Sequence, residues 1–358
     1  MQIFKKSSEN FKQADKNLLL MLKSNNHIIT ILVILSFIIF FISFTVGRYG
    51  VPFDQLSNIF LSKLLGLSKS WPDTVETVLF SVRLPRVLAA MIIGAALSLS
   101  GATYQGLFKN PMVSTDILGA SAGAGFGAAI AILLSFNVIG IQVFAFLFGM
   151  GAVMLTCVIS TIIGRNNNEI LVLVLTGMVV STLFSSFISM IKYLADPDSK
   201  LPAITFWLMG GLSSITSEDV IILSITVLLG AVPLYLIRWK LNVLSFGEEE
   251  AKALGIDTFK IRFLVIVCST LMTAAAVSLG GMIGWVGLII PHFARMLVGP
   301  NYKVLIPTSI LIGSTYILMV DDIARSLFPL EIPIGILTSL IGAPFFIFML
   351  LKGKRGWI

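Results

Sequence analysis

Long apolar runs, broken at short intervals by charged or glycine-containing turns, dominate the chain. Runs near the roughly 20 residues that a spanning helix needs lie at 28–46, 87–108, 117–135, 139–163, 170–191, 219–237, 263–281, 283–298, 304–320 and 333–351. The pattern predicts ten spans. Lipid offers no hydrogen-bond partners, so each run must satisfy its own main chain and is a helix rather than an open strand. Only Gly280, Gly281 and Gly284 separate 263–281 from 283–298. Three segments fall outside the spans. Residues 48–82 read as a long outer loop. Within 196–218, the apolar piece Ile204–Gly211 is too short to cross and reads as a re-entrant or interfacial helix. Residues 238–262 read as the one substantial cytoplasmic loop.

The distribution of positive charge orients this array. Lys and Arg accumulate in short cytoplasmic loops, and a cytoplasmic N-terminus places seventeen of the 25 Lys and Arg residues inside. Both termini are then cytoplasmic, which requires an even number of spans. The net charge of +7 would by itself suit nucleic acid, but the bias between the two sides accounts for it as topology, and no nucleic-acid partner is expected. With 56% hydrophobic and only 12% charged residues, there is too little polar surface for a soluble domain. The expected organisation is one membrane domain over 28–351. A basic cytoplasmic segment precedes it over 1–27, too long for the charged region of a signal peptide, and a short tail follows over 352–358.

Several chemistries are excluded. No Asp, Glu, Lys or Arg lies at the middle of a run, and Arg295 sits near the inner end of the eighth; a proton relay needs titrating groups inside the membrane. There is no phosphate-cradling Gly-rich loop ending in Lys-Ser/Thr. His27 and His292 are isolated, and Cys157 and Cys268 lie in apolar runs, so neither a metal site nor a disulfide framework is expected. No catalytic residue is assigned and no cofactor is expected in this chain. The glycines Gly94, Gly101, Gly106, Gly119, Gly123, Gly125 and Gly127 suit close helix packing; their clustering at 119–127 also suits a smooth translocation wall.

The charged motifs with the clearest chemistry are Arg83-Leu-Pro-Arg86, at the outer mouth of the second span, and Asp321-Asp-Ile-Ala-Arg325, at the outer end of the ninth. The planar guanidinium fork matches carboxylates. Three such cations on the less basic face suggest a docking site for an acidic surface, with interfacial anchoring as the plainer alternative.

Further motifs are Gly94-Ala-Ala-Leu, Ser100-Gly101, Gln105-Gly-Leu-Phe-Lys-Asn-Pro111, Leu118-Gly-Ala-Ser-Ala-Gly-Ala-Gly125 and Trp207-Leu-Met-Gly-Gly211. Leu244-Ser-Phe-Gly-Glu-Glu-Glu-Ala-Lys-Ala-Leu-Gly255, Gly284-Trp-Val-Gly-Leu-Ile-Ile-Pro-His292, Gly299-Pro300 and Ile332-Pro-Ile-Gly335 follow in order. With the arginine motif, this series resembles the FecCD family of ABC importer permeases over roughly residues 30–351. The resemblance implies an all-α, ten-span permease of the cobalamin-transporter type in a bacterial or archaeal cytoplasmic membrane. It works as a pair of permeases, either a homodimer or with a paralogue, surrounded by membrane lipid. An extracytoplasmic binding protein presents glutamates to Arg83, Arg86 and Arg325. Asn110 and Met112 form a cytoplasmic gate, with Met112 where the cobalamin permease has Leu. Gly247, Glu248, Glu249, Ala251, Leu254 and Gly255 belong to a loop that couples to a dimeric ATPase, which binds the ATP. Acidic residues opening a short helix favour its dipole, Gly255 would stop it, and Ala251 and Leu254 would share a small apolar face. The second family gate has no match around Arg165–Asn168. The family's commonest cargo is an iron(III)–siderophore, with haem and cobalamin behind it; a secondary transporter is a remoter reading of the same spans.

Overall fold

The computed structural model describes residues 25–353 apart from 48, 67–70 and 165–168. Most of the segment expected over 1–27, the residues Arg165–Asn168 and the tail beyond 353 lie outside the described residues. Among the described residues, seven helices are long and apolar enough to cross a membrane. They are α1 (Asn25–Thr45), the continuous helix Asp73–Leu107, α6 (Val138–Ile163), α7 (Glu169–Leu194), α9 (Ser217–Leu236), α12 (Thr258–Gly280) and α14 (Tyr302–Ser326). Three shorter apolar helices complete the expected ten: α5 (Ala120–Leu133), α13 (Val286–Val298) and α15 (Ile334–Gly353). Short helices lie between them at α2 (Phe53–Leu65), α8 (Lys200–Met209), α10 (Arg238–Phe246) and α11 (Glu248–Ala253).

The expected outer loop at 48–82 is largely helical. Besides α2, the second span begins at Asp73, well before the apolar run, and continues through α3 (Asp73–Thr77), a π-helical stretch (Val78–Arg83) and α4 (Leu84–Leu107). Pro85 in a regular α-helix would clash with the carbonyl one turn earlier and leave it unbonded. The wider π turn immediately before it accommodates that defect. The re-entrant piece is realised as α8, which begins four residues earlier than its apolar core.

α4 is the axis of the bundle, buried on nearly all sides from Ala89 to Leu107. It can be surrounded because its contact positions carry almost no side chain. A β-carbon on Gly94 would sit 2.1 Å from the Gly313 carbonyl oxygen of α14, and one on Gly101 would sit 1.8 Å from the Gly287 carbonyl oxygen of α13. The glycines at 123 and 127 likewise abut main-chain carbonyls of Phe148 and Phe144 on α6. These glycines therefore serve helix contact, and the alternative of a translocation wall at 119–127 is set aside for Gly123 and Gly127. Hydroxyls fasten α4 to α12: Ser100 Oγ donates to the Ser269 carbonyl (3.2 Å), Thr103 Oγ1 meets Ser269 Oγ (3.0 Å), and Tyr104 Oη meets Thr270 Oγ1 (3.1 Å).

At one end, three breaks converge. The Gly211 N–H donates to the Gly280 carbonyl (2.9 Å) and the Ile334 N–H to the Gly210 carbonyl (3.0 Å). This junction ties the end of α8, the break between α12 and α13 and the start of α15, so the motifs around Gly211, Gly281 and Pro333 meet through main chain. We call this the far end; α10, α11 and the start of α14 lie at the other, the near end, where Asn242 Nδ2 donates to Asn301 Oδ1 (2.9 Å).

Candidate functional site

The far end gathers all three arginines expected to dock an acidic surface, but buries them. Arg83, Arg86 and Arg325 are 4%, 7% and 5% exposed. Arg86 lies on α4 and reaches α14, where Nε donates to both Asp321 carboxylate oxygens at 3.0 Å and Nη2 to Oδ1 at 2.9 Å. Its outer edge holds Glu331, with Nη1 to Oε1 at 3.0 Å and Nη2 to Oε2 at 2.9 Å. Arg325 donates through Nη2 to the Ser43 carbonyl and hydroxyl, each at 2.6 Å, and pairs with Asp322. Arg83 donates to the carbonyls of Phe44 and Tyr49. In this structure the guanidinium groups brace the far ends of α1, α4 and α14 and the loop carrying Glu331. An unpaired charge so deeply buried would be costly, so the chain supplies its own carboxylates. Asp321, Asp322 and Glu331 are functional neighbours that sequence reasoning missed, although Asp321 and Asp322 stood in the quoted motif.

At the near end, Asn110 and Met112 lie on the 108–119 turn between α4 and α5. Asn110 Oδ1 accepts the Met112 N–H at 2.9 Å, a local side-chain turn of the kind Asn favours. Met112 is exposed, and Lys109 before it takes a left-handed φ of 49°. The turn is anchored from behind by Gln105, whose Nε2 donates to the Val113 and Leu288 carbonyls (3.4 and 3.1 Å) while its Oε1 accepts from Arg295 (3.1 Å). Deeper in, Asp116 accepts from the Ser121 hydroxyl.

The segment 247–255 folds as α11, with Glu248, Glu249 and Glu250 in its first turn. Its end is a Schellman closure: the Ile256 N–H bonds the Ala251 carbonyl (3.0 Å) and the Gly255 N–H the Lys252 carbonyl (2.9 Å), with Gly255 left-handed at φ 75°. Ala251 and Leu254 do not share a face as expected. Ala251 is fully buried against the body, whereas Leu254 is 70% exposed and projects outward. Asp257 then caps α12 by accepting the Lys260 N–H (3.1 Å), and that bond holds its carboxyl below the ordinary carboxylate range. A concavity of about 810 Å³ opens between these elements, lined by Lys109, Glu169, the three glutamates and Arg262 among others.

Comparison with known proteins decides the family. The pattern that defines the FecCD transport family matches residues 33–352. The chain belongs to the FecCD transport family. It is a permease of the ABC importer type, and its relatives differ in named cargo. It is 44% identical over 315 residues to the molybdate import system permease protein MolB of Haemophilus influenzae, covering 88% of this chain and 92% of that one. It is 38% identical over 282 residues to a probable iron chelatin transport system permease of Helicobacter pylori, covering 79% and 85%. A solved metal-chelate type ABC transporter in an inward-facing conformation superposes with a TM-score of 0.81 at 40% identity, covering 91% of this FecCD chain and 99% of that chain.

Proposed function

We propose that this FecCD permease moves a metal-bearing solute across the cytoplasmic membrane, with an iron(III)–siderophore complex as the first reading of its cargo. The observation that carries the proposal is the near-complete superposition on a metal-chelate type transporter at 40% identity. A second cargo reading, the molybdate oxyanion, is favoured by the 44% identity to the molybdate permease. Haem and cobalamin stand behind these, as relatives carry those names too.

In this reading the near end is cytoplasmic, in keeping with the excess of Lys and Arg in its segments, and both termini lie there. Two permease copies, identical or paralogous, enclose the path. A separate ATPase dimer binds and hydrolyses ATP against α11, where Leu254, Glu249 and Glu250 are the groups offered outward. An extracytoplasmic binding protein delivers cargo to the far end. Its carboxylates would reach Arg86 or Arg325 only by replacing Glu331 or Asp322, so docking there is an exchange of ion-pair partners. Asn110 and Met112 gate the near end.

The test is uptake by the permease reconstituted with its cognate ATPase and binding protein. ATP-dependent accumulation of radiolabelled iron(III)–siderophore is expected. Accumulation of molybdate alone transfers the cargo to the second reading. Accumulation by the chain without ATP or partners would sink the importer assignment. In the same system, deleting 248–254 is expected to abolish stimulation of ATP hydrolysis by loaded binding protein.

A further inference from the structure

At the near end one guanidinium joins three separate elements. Arg262, on the first turns of α12, donates through Nη1 to Glu169 Oε2 at 2.5 Å and through Nη2 to Glu248. Glu248 opens α11, the helix offered to the ATPase, and Glu169 opens α7. The Arg262 side chain is 13% exposed, whereas those of Glu169 and Glu248 are 65% and 35% exposed. The cation is therefore the most buried member of the trio, and each carboxylate takes a different nitrogen of the same guanidinium. A planar fork can hold two acids at a set angle, which a point-charge ammonium cannot.

What α7 touches next gives this arrangement direction. Eight residues beyond Glu169, about 12 Å along the helix, Gly177 lies against the turn between α4 and α5. A β-carbon there would sit 2.2 Å from the Ile117 carbonyl oxygen and 3.0 Å from the Leu118 Cα. One turn later Val180 and Ser181 pack beside Gly119, within 3.3–3.6 Å of a β-carbon built on it. The 108–119 turn is thus seated on α7 by main-chain contact, with no long side chain between to absorb a shift. Lys109 of that turn and the α11 glutamates also line one cavity with Arg262 and Glu169.

We propose that Arg262 is the positioning residue that transmits displacement of α11 to the 108–119 turn, through Glu169 and the rigid first half of α7. This rests on the reading that α11 engages an ATPase. A pull on α11 draws on the Glu248 pair; because the same guanidinium holds Glu169, the start of α7 must follow or lose its partner. α7 then carries the shift to Ile117 and the gate residues Asn110 and Met112. Packed interfaces pass such shifts between discrete arrangements instead of deforming smoothly.

The test uses the complete complex of permease, ATPase and binding protein in proteoliposomes, comparing wild type with Arg262→Gln, Glu169→Gln and the double variant. The readout is solute transported per ATP hydrolysed, together with recovery of the ATPase on the purified permease. A purely structural defect lowers recovery and both rates together and leaves the ratio unchanged. Each single variant is expected to recover the ATPase normally and to lower the ratio by about tenfold, a typical size for coupling between sites. The double variant should lose no more than either single one. Glu169 is exposed, so its variant reports even where Arg262→Gln folds poorly. A ratio unchanged in Glu169→Gln, with wild type coupled and the ATPase bound, overturns the transmission role and leaves the importer reading standing. Failure of the wild-type chain to recover an ATPase overturns both.

Discussion

Arg86→Met is expected to destabilise the permease by about 3–5 kcal/mol, the range for breaking a buried ion pair from one side. Asp321 has no exposed side-chain surface, and with Arg86 gone its carboxylate keeps, among the described residues, only Arg325, 3.7 Å away. Thermal unfolding in detergent should show the loss as a markedly lower midpoint. Arg86→Met with Asp321→Leu should regain most of it, because no fully buried charge is stranded and Glu331, the other partner of Arg86, is 36% exposed and can be hydrated. This pair of measurements separates the brace from a pure docking role. A residue that only met a binding protein would lower affinity for that protein and leave the midpoint unmoved, and the double variant would restore nothing. Charge reversal at Arg83 or Arg325 would act on folding first, because both are buried and a carboxylate at either would face Asp322.

Gly101→Val is expected to prevent the bundle from closing. Overpacking a core that can relax costs about 1–3 kcal/mol, but here the obstacle is the Gly287 main-chain carbonyl, 1.8 Å from the new β-carbon, and no rotamer change removes it. The whole of α4 must move away from α13, so the expected loss exceeds about 3 kcal/mol and appears as little or no monodisperse protein after extraction. Gly151→Val is the control. It lies on the exposed side of α6 with nothing within 4 Å of a β-carbon, and its effect should stay within about 0.5 kcal/mol. Equal behaviour of the two variants would refute the account of α4 as a glycine-seated axis.

The spans were legible because lipid imposes a composition on whatever it surrounds. All ten apolar runs became helices, and even the break marked only by Gly280, Gly281 and Gly284 is real, with Trp285 left-handed at φ 71° to turn the chain. The helix at 73–86 was not legible: Asp73, Glu76, Arg83, Pro85 and Arg86 give it the look of a loop, and only the far-end packing explains why it is helical. The arginines show the same limit more sharply. Their clustering at one end of the bundle was readable, but Arg86 meets Asp321 and Glu331 across 235 and 245 residues of sequence, and nothing local reveals that these charges are already matched. α11 is intermediate. Its acidic start and its glycine stop were readable because capping is local. The burial of Ala251 was not, since which side of a one-turn helix faces the body depends on the neighbouring α10 and α12. Arg262 entered the sequence reading only as one more cytoplasmic charge, and no pattern marks a residue whose two partners lie 14 and 93 positions away.

Two of the ten spans are short. α5 has 14 residues and α13 has 13, or about 20 Å each at 1.5 Å per residue, against a hydrocarbon layer of about 30 Å. The difference is made up by irregular chain, the 108–119 turn at the near end and the 281–285 break at the far end, so polar main chain reaches inward from both directions. If α5 and α13 face the path, the insulating layer there is thinner than the bilayer around it. Membrane voltage, worth about 2.3 kcal/mol per unit charge for each 100 mV, would fall across that narrowed layer. An ionic solute would therefore do nearly all its electrical work in one short step near the centre.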